Sequence, residues 1–270
     1  MKFGICNEIF KDWSFERAFE YVKQTGYNGI EIAPFTCAPY VTDVSLQRRA
    51  EIKDLAAKNK LEITGIHWVL VQAEGMHMTH PDESVRGRTQ QYFRDLVAFC
   101  CDLGGKSIIV GSPQQRNLEP EVTLEQATAW ASEVFRPAVG DAEDHGITIC
   151  FEPLAPSETN FMNTASEAIE FIERLPSPAF KIILDVKAMC SMGQPIPDII
   201  RQSAPHFAYF HANDANLKGP GFGEVDFVPI AQALKEVSYD GYVSVEVFKF
   251  EEGPEVIATE SLSYLKQSFS

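Results

Sequence analysis

Eight short apolar runs recur along the chain, each parted from the next by a longer stretch of mixed polarity, and few folds accept that rhythm. The runs are KFGICNEI (2–9), GIEIAPF (29–35), EITGIHWVL (62–70), SIIVGSP (107–113), TICFEPL (148–154), FKIILDV (180–186), FAYFHAND (207–214) and YVSVEVF (242–248). Most are rich in β-branched or aromatic residues, as strands buried on both faces should be. The stretches between them carry helix signals. Ser14 reads as the N-cap of a helix running to Lys23, and residues 82–103 follow Pro81 with Asp82 and Glu83 at their start. Further helical patterns cover 124–144, 165–173, a segment starting near Asp226, and 255–266. Gly26, Gly104, Gly146 and Gly241 each fall between a helix and the next strand, where a left-handed cap is expected.

Strand–helix units in series imply a parallel sheet with right-handed crossovers. Eight of them fit a closed (β/α)8 TIM barrel, an α/β fold that typically takes about 250 residues. The 270 residues are therefore expected to form one such domain over 1–270. An open doubly wound sheet would want a G-x-G-x-x-G after the first strand, and none follows it.

Barrels of this kind keep their chemistry at the C-terminal ends of the strands. There the last four runs each present one ionisable residue among apolar neighbours: Glu152 in CFEPL, Asp185 in ILDVK, His211 in YFHAN and Glu246 in SVEVF. A buried, unpaired carboxylate costs several kcal/mol by order of magnitude, so burial normally requires pairing or a metal. Three converging carboxylates would also repel one another. A divalent cation removes that repulsion and uses the imidazole as a further ligand. Oxygen-rich ligation with one nitrogen suits Mn2+, Mg2+ or Co2+ better than a thiolate-preferring ion.

At these residues the chain resembles the xylose isomerase-like TIM-barrel superfamily of sugar isomerases and epimerases, with ketose 3-epimerases and hydroxypyruvate isomerases as nearer relatives. The matching segments are EPL…ETNFMNTASEA (152–168), ILDVKAM (183–189), HANDAN with PGFGEVDF (211–227) and YDGYVSVEVF (239–248), and the resemblance extends over the whole chain. It implies Glu152, Asp185, His211 and Glu246 as ligands of one divalent ion, with Mn2+ preferred. Glu152 and Glu246 would also be the acid and base that move a proton on opposite faces of the substrate. Glu158 would help to position the sugar. His67, closing GIHWVL, is a substrate-contact candidate whose alternative is a satisfied structural histidine.

Two substrate-gripping positions depart from the epimerase pattern. Ala188 stands where a histidine is expected, three residues after Asp185, and Leu217 stands where an arginine is expected, six after His211. Lys187 or Lys218 is available as a replacement donor, each with an exposed loop lysine as its alternative. Lesser signals are HMTH (77–80), read as a surface loop or lid contact; GPGFGE (219–224), read as a tight lid turn before an Asp226 N-cap, with phosphate binding as its alternative; and Asp214 and Asn216, read as orienting His211 or the substrate. Trp13, Trp68 and Phe222 are candidates for an apolar wall.

Charge narrows the partners. With 23 basic against 38 acidic residues the net charge is −15, which disfavours nucleic acid and anionic membranes and leaves a small carbohydrate as the expected ligand. The opening MKFGICNEIF lacks a signal-type apolar core, and the six cysteines show no metal spacing. The expected setting is the reduced cytoplasm, and a homo-oligomer is expected by family analogy only. The leading expectation is a metal-dependent sugar or sugar-phosphate isomerase or epimerase. A keto-sugar or keto-inositol dehydratase on the same metal site, or a non-catalytic sugar-binding barrel, is the alternative.

Overall fold

A computed structural model describes residues 1–270. All eight anticipated strands form, as β1 (Lys2–Cys6), β2 (Gly29–Ile32), β3 (Glu62–Ile66), β4 (Ser107–Val110), β5 (Thr148–Phe151), β6 (Phe180–Asp185), β7 (Phe207–Ala212) and β8 (Tyr242–Val245). Each ends earlier than its apolar run, because the last residues of the run leave the ladder to enter the barrel mouth. The strands are parallel and close into a ring, with β8 pairing back on β1 from Lys2↔Tyr242 to Ile5↔Val245.

The outer layer holds α1 (Phe15–Thr25), α2 (Leu46–Lys58), α3 (Glu83–Leu103), α4 (Leu124–His145), α5 (Ala165–Ile172), α6 (Val186–Met189), α7 (Ile196–Ser203), α8 (Phe227–Glu236) and α9 (Pro254–Ser268). Ser14, Asp82 and Asp226 cap their helices as expected, accepting from the backbone N–H of Arg17, Ser84 and Val228. Gly26, Gly104 and Gly146 are left-handed caps, whereas the expectation for Gly241 fails. The left-handed residue after α8 is Ser238, three positions earlier. Helices α2, α6 and α7 were not anticipated. Only Ile52 and Ala56 of α2 are buried, so LQRRAEIKDLAAK shows too thin an apolar stripe to be read.

Between helices and sheet, Phe93, Phe135, Phe151, Phe171 and Phe180 pack ring to ring, with centroids as close as 4.6 Å (Phe93–Phe135) and 4.9 Å (Phe151–Phe171). Phe151 thus anchors the outer face of β5 against α4 and α5, which fixes where the next residue, Glu152, points.

Inside the ring lies a separate small cluster of Ile109, Cys150, Ile183 and Tyr209. The wall is thinned by glycine where strands approach closely: a Cβ on Gly65 would come within 2.1 Å of the Ser107 carbonyl oxygen. No helix is long and apolar enough to cross a membrane.

Candidate active site and metal centre

Side chains alternate across a strand, so the residue two places beyond an inward-facing one also faces inward. Two beyond Cys150, Ile183 and Tyr209 stand Glu152, Asp185 and His211. Ser244, ladder partner of His211, is followed two places later by Glu246. Register then does the gathering: Asp185 pairs directly with His211 across β6 and β7. One ligand atom each of Asp185, His211 and Glu246 lies within 4.8 Å of the others, and all three residues are buried. Glu152 is outside that tight set but lines the same cavity as Glu246. A Cβ on Gly111 would stand 2.5 Å from Glu152 Oε2, so only glycine leaves the carboxylate its place.

Each member is held by groups behind it. His211 turns Nε2 toward Glu31, at 3.1 and 3.2 Å from its two oxygens. A carboxylate in that position keeps the proton on Nε2 and leaves the Nδ1 lone pair facing the centre. Tyr209 donates to the same Glu31 at 2.8 Å. Asp185 accepts from the Ala188 N–H at 2.8 Å and from Asn213 Nδ2 at 2.5 Å. Glu246 accepts the indole N–H of Trp68 at 2.7 Å. Trp68 makes that bond from a left-handed backbone (φ 52°), with its ring stacked between Phe35 and Phe248.

The donor set fits a dication. With the imidazole neutral, His211 Nδ1 and Glu246 Oε2 stand 3.2 Å apart as two facing acceptors, both buried, and neither has a hydrogen-bond partner. Leaving such groups unsatisfied costs roughly 1–3 kcal/mol each. Two orphaned lone pairs aimed at one point, with Asp185 and Glu152 alongside, are what a hard cation takes up.

The local fields separate the two glutamates. Burial, with the negative charges of Asp185 and Glu246, pushes the Glu152 carboxyl up to about 8. Burial would also raise Glu246, but the His211 imidazole beside it, with His67 and Lys187 beyond, holds its carboxyl down to about 2. Burial opposes the charge on His211, yet Glu246 and Glu31 raise it well above the usual imidazole range.

The cavity has a volume of about 330 Å³. Its walls include Trp68 and Phe248, with Glu152, Glu246, Glu158 and Lys187 facing in. Lys187 is 8% exposed, donates to Glu158 at 2.8 Å and sits 4.1 Å from the centre of the Phe248 ring. It is therefore a buried wall residue and not a loop lysine. Lys218 is tied to Glu252 instead. His67 is fully buried, with Nε2 2.7 Å from Glu8 and Nδ1 3.6 Å from Glu31, and it does not line the cavity.

The supports suggested for His211 lie elsewhere. Asp214 accepts from the Val225 N–H and Asn216 donates to the Phe222 carbonyl, so both brace the GPGFGE turn. Of the suggested apolar wall, Trp68 lines the cavity, while Trp13 packs on Phe10, Tyr21 and Arg17. HMTH is a loop latched to its neighbours, Met78 N–H bonding the Gln115 carbonyl and Thr79 the Arg116 carbonyl.

Five residues escaped the sequence reading: Glu8, Glu31, Trp68 as a partner of Glu246, Asn213 and Arg116. Glu31 had a visible signal, a lone charge inside GIEIAPF, the same signal that exposed Glu152. Arg116 is fully buried, donates to the Glu152 carbonyl at 2.6 Å and lies over the Phe151 ring. Burial lowers its guanidinium to about 10.

A closed eight-stranded parallel barrel with buried carboxylates and an imidazole gathered at its C-terminal mouth defines a TIM-barrel protein with a candidate metal centre. Residues 19–268 match the family described as xylose isomerase-like TIM barrel, and the chain belongs to it. It is 25% identical over 253 residues to the D-psicose 3-epimerase of Ruminiclostridium cellulolyticum, covering 92% of this chain and 84% of that protein. To the ketose 3-epimerase of Arthrobacter globiformis it is 26% identical over 235 residues, 84% of this chain and 76% of that one. Among solved structures, D-psicose 3-epimerase with D-tagatose from Clostridium cellulolyticum H10 superposes with a TM-score of 0.86 at 21% identity, covering 100% of both chains. The 3-keto-D-glucoside 4-epimerase of E. coli gives 0.85 at 21% identity, covering 99% of each.

Proposed function

We propose that the chain is a divalent-metal-dependent sugar epimerase or isomerase that moves a proton on a keto sugar through an enediolate. The observation that carries this reading is the pair Glu152 and Glu246, which line one cavity, with Asp185 and His211 gathered behind it at Glu246. The curated relatives, named as ketose 3-epimerases, support it.

Glu152, Asp185, His211 and Glu246 would hold the ion, with Mn2+ preferred and Mg2+ or Co2+ as options. Bound there, a dication draws electron density from a carbonyl and the adjacent hydroxyl oxygen, so the C–H between them becomes a stronger acid. One glutamate takes that proton, and the other returns one to the opposite face or to the neighbouring carbon. Trp68 fixes the Glu246 carboxylate for this task. Lys187 and Glu158 offer a donor and an acceptor to sugar hydroxyls. His67 acts from behind, through Glu8 and Glu31. The substrate side of the reading needs only a small carbohydrate, and the expected setting stays cytoplasmic.

The test is a screen of ketoses, keto-inositols and their phosphates with Mn2+ in D2O, read as deuterium entering the recovered sugar. Exchange is expected with at least one ketose and is expected to vanish in Glu246→Gln while the unfolding temperature holds. Unchanged exchange in that variant would remove Glu246 from the mechanism. Loss of water from the sugar in place of exchange would assign the dehydratase reaction instead.

A further inference from the structure

We propose that the barrel holds a second dication, zinc by its donor set, bound by Cys6, Glu31 and His67 at the ends of β1, β2 and β3. Register gathers the three side chains, as it gathers those of the first centre. Cys6 and Glu31 are ladder partners across β1 and β2, and Glu31 pairs in turn with Gly65, two places before His67. All three therefore face into the ring. One ligand atom from each lies within 4.8 Å of the others, and all three residues are fully buried.

His67 is oriented as a ligand. Its Nε2 stands 2.7 Å from Glu8 Oε2, and a carboxylate in that position keeps the proton on Nε2. The Nδ1 lone pair is left turned toward Glu31 Oε1, at 3.6 Å, with no hydrogen-bond partner although it is fully buried. A proton placed on Nδ1 would not close that gap, which is too long for a hydrogen bond. Two acceptors facing each other repel unless a positive charge lies between them. Nitrogen and oxygen ligands of a tetrahedral zinc stand roughly 3.4 Å apart, close to the separation already present. Tyr209 donates to Glu31 Oε2 at 2.8 Å, which fixes the carboxylate with Oε1 toward His67 and His211.

The thiol sets this centre apart from the oxygen-rich one. Thiolate with imidazole selects zinc over manganese or magnesium. On binding, the Cys6 S–H bond breaks, its electron pair going to the ion and its proton to solvent. The thiolate and the Glu31 carboxylate then cancel the two charges of the ion, so no net charge is left in the interior. None of the three residues lines the reaction cavity, so the ion would tie three strands together without touching substrate. The centre is thus independent of which reaction the cavity performs. Cysteine spacing along the chain could not announce it, because each ligand comes from a different strand.

Co2+ in place of zinc tests this, because a thiolate ligand gives it a charge-transfer absorption in the near ultraviolet that oxygen and nitrogen ligands do not. The ion is added to the folded protein and, separately, during refolding from urea, since a buried centre is reached more readily before the chain closes over it. A Cys190→Ser background removes the exposed thiol. Two equivalents should be retained, one of them with the absorption, and Glu246→Gln should leave that absorption in place. Cys6→Ser should abolish it. His67→Gln keeps an N–H for Glu8 but offers no nitrogen toward Glu31, and should weaken the absorbing equivalent by about tenfold or more. Thermal melts show which variants are folded. No thiolate absorption by either route, an absorption that survives Cys6→Ser, or full affinity in folded His67→Gln would overturn the proposal. An absorbing equivalent without the other counts against the first centre and leaves this one standing, and a lone equivalent without absorption does the reverse.

Discussion

The Trp68 indole N–H meets Glu246 Oε1 at 2.7 Å from a backbone held at φ 52°. The bond joins the end of β3 to the end of β8 and ties one of the two facing glutamates to the aromatic wall. Trp68→Phe keeps most of the stack with Phe35 and Phe248 but removes the donor. Turnover is expected to fall by about 10- to 100-fold, the usual cost of losing a support of this kind. Steady-state kinetics beside a thermal melt would check it, and undiminished kcat would show that Glu246 needs no such tether.

Glu31 makes no direct contact with the cavity, yet it selects the His211 tautomer. Glu31→Gln presents an amide that can donate as well as accept, so the proton is no longer pinned to Nε2. Mn2+ affinity should drop about 10- to 100-fold, seen by calorimetry. A matching drop in Glu31→Ala but none in Glu31→Gln would mean that shape, and not charge, is what Glu31 supplies.

Two glycines should fail differently. In Gly111→Ala the new methyl would stand 2.5 Å from Glu152 Oε2, the end of a side chain, so activity should fall more than stability. In Gly65→Ala it would stand 2.1 Å from a backbone carbonyl in β4, which cannot swing away. Overpacking of this sort typically costs about 1–3 kcal/mol or more. Urea unfolding midpoints and deuterium exchange, measured on both variants, separate the two outcomes.

Cation uptake should expel protons. Without an ion, Glu152 is pushed up to about 8 and holds its proton at neutral pH. Ligands must be free of protons to bind, hence affinity should strengthen as pH rises toward that value and weaken as it falls. Mn2+ titrations in buffers of different ionisation enthalpy give the number of protons released. A heat independent of the buffer would contradict the assigned ligands.

The barrel was legible because strands buried on both faces leave continuous apolar runs, and interruptions in the last four runs marked Glu152, Asp185, His211 and Glu246. The interruption in β2 carried the same information, and Glu31 was there to be read by extending the question to the first half of the chain. Asn213 and Arg116 gave no such signal. Each acts through partners distant in sequence, Asn213 on Asp185 and Arg116 on the Glu152 carbonyl, and only the closed ring brings them together. Helix α2 was missed for the opposite reason: it buries so little that its pattern is mostly solvent.

The ring also divides labour between the halves of the chain. Strands β5 to β8 deliver every proposed ligand of the manganese centre, while Glu8, Glu31, His67 and Trp68, all in the first half, stand behind or beside them. Cut in the turn at Gly146, one fragment would own these ligands and the other most of the groups that aim them, Asn213 excepted. Capture of manganese would then report on reassembly, an optical or magnetic gauge of whether the last strand has found the first.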